Sequence, residues 1–166
     1  MLADALVERY SRQILLAEVG GRGQERLLAS QVAIAGDDAA ARFAATLVRA
    51  AGAEVTMTSG APGRIEVDAA PAGTVVGRWR GCAGTVATLV GRPCARCLDA
   101  SVLALAAAGP GGDAAQPVGA LVAVETLRVL LGLATEGRVQ RLDAGRGTFG
   151  GETLSGPGCA ACGASA

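Results

Sequence analysis

The sequence predicts a single α/β domain with N-terminal helices, a parallel βαβ start, a mixed sheet and a four-cysteine zinc knuckle, and three observations carry that expectation. The hydrophobic period is helical over roughly the first 30 residues, then gives way to short apolar runs ending in glycine, as buried parallel strands do. A long apolar helical stretch follows much later, between segments of strand character. Two C-x-x-C pairs, separated by 61 residues, frame the second half of the chain. At 166 residues the chain has the size of one domain and can bury a core without covalent staples.

Taken in order, residues 3–28 read as helical. Leu6, Tyr10, Ile14 and Leu15 fall near helical spacing, and Gly20-Gly21 breaks the pattern before a second short helix. Gln31-Val32-Ala33-Ile34-Ala35-Gly36 is a buried strand, residues 38–51 a helix and residues 54–58 a second strand, which completes a βαβ unit. Residues 60–73, rich in Gly, Pro and Ala, read as a loop. Beyond it Thr74-Val75-Val76, Arg78-Trp79-Arg80 and residues 85–90 read as short strands, the last alternating Val86, Thr88 and Val90 against Ala87 and Leu89. A short helix is expected over 102–108 and a mobile loop over 108–117. Residues 118–133 form a long helix whose apolar run is too continuous for one solvated face, so it belongs in the core or at an interface. Residues 139–143 and 147–153 read as a closing β-hairpin. The domain, 1–166, thus comprises N-terminal helices over 1–30, a βαβ unit over 31–60, and a C-terminal sheet, helix and cysteine knuckles over 74–166.

Composition narrows the chemistry. Hydrophobic residues make up 51% of the chain but aromatics only 2%, so the core must be built from Ala, Val and Leu. The chain has no His, and all fifteen of its basic residues are Arg. An imidazole general base, a Cys/His nucleophile pair and a lysine phosphate clamp are therefore excluded. Net charge is zero and the arginines are scattered, which argues against nucleic acid as a partner. No signal-peptide run and no stretch of eighteen uninterrupted apolar residues occurs, so the expected location is cytoplasmic, without a membrane contact.

Cys94-Ala-Arg-Cys97 and Cys159-Ala-Ala-Cys162 are knuckles, each able to supply two thiolates to one tetrahedral zinc, with Pro93, Gly158 and Gly163 supplying the tight turns. Two disulfides or a redox motif are the competing readings. Cysteines two residues apart close a poor disulfide in a reducing compartment, and a thioredoxin-like motif would occur once, near a helix start. Structural zinc on Cys94, Cys97, Cys159 and Cys162 is the expectation. Cys82 stands apart and, with only Arg78 and Arg80 near it in sequence, reads as a small buried hydrophobe rather than a nucleophile.

The order of motifs resembles the ThiF/MoeB/HesA family of ubiquitin-activating-type enzymes. Arg9-Tyr10-Ser11-Arg12-Gln13-Ile14, Gly23-Gln24-Glu25 and Leu27-Leu28-Ala29-Ser30-Gln31-Val32 are similar to the family's opening. Pro93-Cys94-Ala95-Arg96-Cys97, the apolar helix around Glu125 and Gly158-Cys159-Ala160-Ala161-Cys162-Gly163 are similar to its later motifs. The resemblance implies a Rossmann-like sheet, pairing into homodimers, and ATP-dependent adenylation of the Gly-Gly terminus of a small ubiquitin-like sulfur carrier. It also implies that Arg12 contacts ATP across a dimer interface; two solvated arginines, Arg9 and Arg12, on an amphipathic helix are the plainer alternative.

The catalytic elements depart from the pattern. The family's glycine-rich phosphate loop is here Gly36-Asp37-Asp38-Ala39-Ala40-Ala41. Two carboxylates there repel ATP, whereas Asp is a favoured helix N-cap. The second strand runs into Ser59-Gly60 where the family holds the ribose with an acid, and residues 60–73 leave no room for the segment that would carry magnesium. The reading that follows is a truncated, Rossmann-like pseudoenzyme with structural zinc and without ATP or magnesium. It would pair with itself or with a complete homologue and serve the modification of a sulfur-carrier protein or a peptide. A working adenylyltransferase with an unusual ATP site and a peptide-recognition partner of a modifying enzyme are the alternatives.

Overall fold

The computed structural model describes residues 2–69, 71–91 and 113–154. Among them the order is α1 (Asp4–Ile14), α2 (Gly20–Leu28), β1 (Gln31–Ala35), α3 (Ala39–Ala50), β2 (Glu54–Thr58), β3 (Arg64–Asp68), β4 (Thr74–Arg80), β5 (Ala83–Leu89), α4 (Ala115–Leu131), β6 (Arg138–Asp143) and β7 (Thr148–Thr153). The protein is an α/β fold with one seven-stranded mixed sheet, ordered β2-β1-β3-β4-β5-β6-β7. Only the β1–β2 pair is parallel, and α3 is the crossover that this pairing requires.

Local chemistry sets the element ends. Asp38 caps α3 by accepting the Ala41 N–H at 3.1 Å, which satisfies one of the helix's orphan donors. Gly132, at φ +74°, ends α4 in the left-handed conformation that a side chain disfavours. Gly81 and Cys82 make a two-residue hairpin between β4 and β5 with positive φ at Gly81.

The helices α3 and α4 cover one face of the sheet. Ile34, Val67, Val75 and Val86 from four adjacent strands pack there with Val48 of α3 and Val118 and Val122 of α4. The two helices touch backbone to side: a Cβ at Gly119 would lie 2.5 Å from the Ala40 carbonyl oxygen. The core is aliphatic, as the composition requires. On the opposite face Val76, Ala87, Leu89 and Val139 form a second cluster, with Leu154 against it. Every residue of β5 is buried.

Three expectations need correction. Residues 60–73 are not a continuous loop, because Arg64-Ile65-Glu66-Val67-Asp68 forms β3 between β1 and β4. Its alternation, Ile65 and Val67 inward, is what a strand with one buried face shows. Residues 74–80 form one strand rather than two. The expected loop at 108–117 is helical from Ala115, so Pro117 lies in the first turn of α4, where the missing N–H costs nothing. The short helix expected over 102–108 lies outside the described residues.

Candidate functional site

The turn after β1 is where a nucleotide would meet a βαβ unit, at the carboxyl ends of the parallel strands and the start of the crossover helix. Here that space holds protein. The Gly36 N–H donates to the Thr58 carbonyl at 2.9 Å, and the loop after β2 lies directly on the turn. A Cβ at Gly60 would come within 2.7 Å of the Gly36 nitrogen and 2.8 Å of its Cα. Arg42 donates to the Asp37 carbonyl, and the Asp38 carboxylate takes the Ala41 N–H. On the other side of β1 stands β3, antiparallel, with Arg64 paired to its own neighbour Glu66 at 2.8 Å. The crevice that opens beside β1 in an all-parallel sheet is thus filled by a paired strand. The helix-start amide of Ala41 faces a carboxylate of the same chain.

Cys82 is fully buried in the β4–β5 turn, with Sγ 3.5 Å from Asp143 Oδ1. The Asp143 carboxylate also accepts the Arg146 N–H at 3.0 Å. That backbone bond is the main cause of a carboxyl held below its ordinary value; burial opposes it, while the Cys82 thiol, the Arg146 guanidinium and the Gly145 N–H add to it. The Cys82 carbonyl takes the Ala144 N–H and the Gly81 carbonyl takes the Ala114 N–H, so this turn ties the β6–β7 loop to the start of α4. The expectation of a buried, structural Cys82 agrees with this geometry.

A charged network that the sequence did not reveal lies at the opposite end of the sheet. Glu125 is fully buried on α4 and accepts the Thr88 hydroxyl at 2.8 Å and the Arg138 Nε–H at 2.9 Å, with a second Arg138 N–H on its other oxygen. Arg128 stands 3.8 Å away on the next turn of the helix. A solitary acid within an apolar helix was the available signal, but its partners come from β5 and β6. The network floors a polar cleft of about 280 Å³ lined by Arg128, Glu136, Arg138, Gln140 and Glu152 among others. The Oε1 of Gln140 is buried there without a hydrogen-bond partner.

Arg12 lies exposed in the last turn of α1, while Arg9 stacks over the Tyr10 ring at 5.4 Å. Cys94, Cys97, Cys159 and Cys162 all lie outside the described residues. Among the described residues no group of three or more Cys, Asp or Glu side chains is arranged to hold a metal, and no helix is long and apolar enough to cross a membrane. Compared with protein-family models and with curated proteins, the chain matches no family model and no curated protein.

Proposed function

We propose that the protein is a non-catalytic relative of the ThiF/MoeB type: a zinc-braced pseudoenzyme that pairs with itself or a complete homologue in the modification of a sulfur-carrier protein or a peptide. The observation that carries this reading is the closed turn after β1. Phosphate binding there needs free backbone N–H groups and room for the backbone to approach the anion. Gly60 packs on Gly36, and Asp38 both takes the Ala41 N–H and adds negative charge. Arg12 is the one nucleotide-contacting residue that the resemblance carries over, and its exposure leaves it available to a complete homologue's site.

The zinc assignment draws support from the sheet register. Thr88 of β5, Arg138 of β6 and Thr153 of β7 form one row across three strands. Both outer strands run in the same direction out of that row, two strand spacings or about 10 Å apart. Cys94 follows Thr88 by six residues, and Cys159 follows Thr153 by six. β5 and β7 therefore end on the same side of the sheet, each six residues of sequence short of a cysteine pair when counted from that row, a length of chain compatible with four thiolates sharing one ion.

Calorimetry with ATP and magnesium, paired with pyrophosphate exchange, tests the pseudoenzyme reading on the isolated chain. Neither heat of binding at micromolar ligand nor exchange is the expected result. Micromolar affinity with exchange would overturn it in favour of an active adenylyltransferase.

A further inference from the structure

The two edges of the sheet are finished differently. At β2 the chain covers its own backbone. The Glu54 N–H and the Thr58 carbonyl bond toward β1, which turns Val55 outward, and Arg49 of α3 donates to the Val55 carbonyl at 3.0 Å. The β7 edge has no such cover. The Leu154 N–H donates to the Gly137 carbonyl at 2.8 Å, and the β6–β7 register runs unbroken from Arg138↔Thr153 to Asp143↔Thr148. Bonded pairs alternate along an antiparallel ladder, so Glu152, Gly150 and Thr148 bond to β6, while Thr153, Gly151 and Phe149 turn their N–H and C=O groups away from it. No side chain or loop among the described residues bonds to those outward groups. The whole of β7 is exposed, without proline or bulge, and its one charged side chain, Glu152, is paired with Arg141 at 2.5 Å. An edge left in this state is a template for another strand.

The polar cleft lies along this same edge. Gly151 pairs with Gln140 and Thr153 with Arg138, so these positions share the face on which Arg138 meets Glu125 of α4. All four line the cleft of about 280 Å³, together with Arg128 and Glu136. Its formal charges cancel, Arg128, Arg138 and Arg141 against Glu125, Glu136 and Glu152. One acceptor is left over, the buried Oε1 of Gln140, and Gly151 directly opposite adds no side chain over it. Two residues along β7, Phe149 is 63% exposed on the same face, across from Leu142. We infer that β7 takes an extended peptide segment of a partner protein as a further antiparallel strand, with an uncharged amide side chain opposite Gly151 and an apolar one opposite Phe149. Main-chain bonds to three outward residues supply the attachment, and the side chains that alternate onto the cleft face supply the selection. Directly opposed residues of two strands lie on one face, so the amide comes over the cleft and the apolar residue over Phe149. A carboxamide brings the donor that Gln140 lacks and adds no charge to a balanced cleft, as a lysine or an aspartate would. The inference rests on that part of the proposed function which gives the chain a protein or peptide to serve; it is independent of zinc, nucleotide and pairing.

Amide hydrogen exchange of the full chain, read residue by residue by NMR, is the test. The probe is the end-capped heptapeptide Ser-Thr-Thr-Gln-Thr-Val-Ser at millimolar concentration, whose Gln and Val fall opposite Gly151 and Phe149. In the free chain the Phe149, Gly151 and Thr153 amides should exchange fast and those of Gly150 and Glu152 slowly. Saturating peptide should slow the three fast amides by about tenfold or more and leave the other two unchanged. A twin peptide N-methylated at its Gln and Val cannot donate to the edge and should protect none of them. Gly151→Pro removes an outward N–H without touching the ladder to β6, so it should abolish binding with unchanged circular dichroism. Gln140→Leu should remove the preference for the Gln peptide over its Leu counterpart, about tenfold in the wild type, a readout that a merely structural role would not give. No protection by the peptide, equal protection by the methylated twin, or a preference indifferent to Gln140→Leu would each overturn the inference. So would protection that rises with chain concentration alone, which would make a second copy the occupant. None of these outcomes alters ATP binding or zinc content, so the two proposals fail separately.

Discussion

Glu125 shows how one side chain fixes the relation of a helix to two strands. A carboxylate without solvent must have its lone pairs filled, and Thr88 and Arg138 fill them from β5 and β6. The two ends of the pair are not equivalent, because the Glu125 side chain is buried whereas 30% of the Arg138 side chain reaches solvent. Replacing Arg138 by Ala strands a charge in the core, at a cost of about 3–5 kcal/mol. Replacing Glu125 by Ala leaves a guanidinium that can turn to water, and the cost should be closer to the about 1–3 kcal/mol of a lost charged hydrogen bond. Urea unfolding of the two variants checks this order, and equal losses would show that packing of α4, not the charge, dominates. Arg128 at 3.8 Å is the group that would limit the Arg138→Ala loss by moving in.

At the scale of elements, the contact between α3 and α4 sets two opposing effects against each other at Gly119. Alanine in a helix interior is favoured over glycine by about 1 kcal/mol. The same Cβ would sit 2.5 Å from the Ala40 carbonyl oxygen and 3.1 Å from its Cα, both backbone atoms that cannot rotate away. Gly119→Ala should therefore destabilise the fold on balance, by about 1–3 kcal/mol from forced separation of the helices, and a thermal midpoint at or above wild type would show that they separate freely. Sequence reasoning found the βαβ unit, both N-terminal helices and the closing hairpin, because each has a local period. It missed β3, a five-residue strand hidden between Gly- and Pro-rich flanks although Ile65 and Val67 alternate cleanly. It also placed Pro117 in a loop, since proline marks helix ends unless it falls within the first turn. The closed turn at Gly36 was half legible. Asp38 as an N-cap follows from sequence, but the seating of Gly60 on Gly36 depends on a loop arriving from β2, and the partners of Glu125 lie 37 residues upstream and 13 downstream.

For the whole molecule, the proposed zinc makes a statement about cooperativity that can be measured. The second hydrophobic cluster, Val76, Ala87, Leu89 and Val139 with Leu154, lies on the face of the sheet away from α3 and α4, toward the end where β5 and β7 finish. β5 ends there at Leu89, ahead of Cys94 in the sequence, and β7 at Thr153, ahead of Cys159. One ion shared between the two cysteine pairs would close a loop running from β5 through α4, β6 and β7, so that loss of either pair releases both. Metal analysis of the purified protein should give one zinc per chain. Cys159→Ser should lower the zinc content and the thermal midpoint together, because a structural site contributes its binding free energy to folding. Each kcal/mol lost moves the midpoint by about 2–4 °C in a chain of this size. Cys94→Ser should give the same fall, and the double variant no further one, since both residues act through a single ion. Cys82→Ser should leave zinc content at one, its sulfur being enclosed beside Asp143 at the opposite end of the sheet. Additive losses from Cys94 and Cys159, or zinc-free protein of undiminished stability, would show that the two pairs do not share a metal.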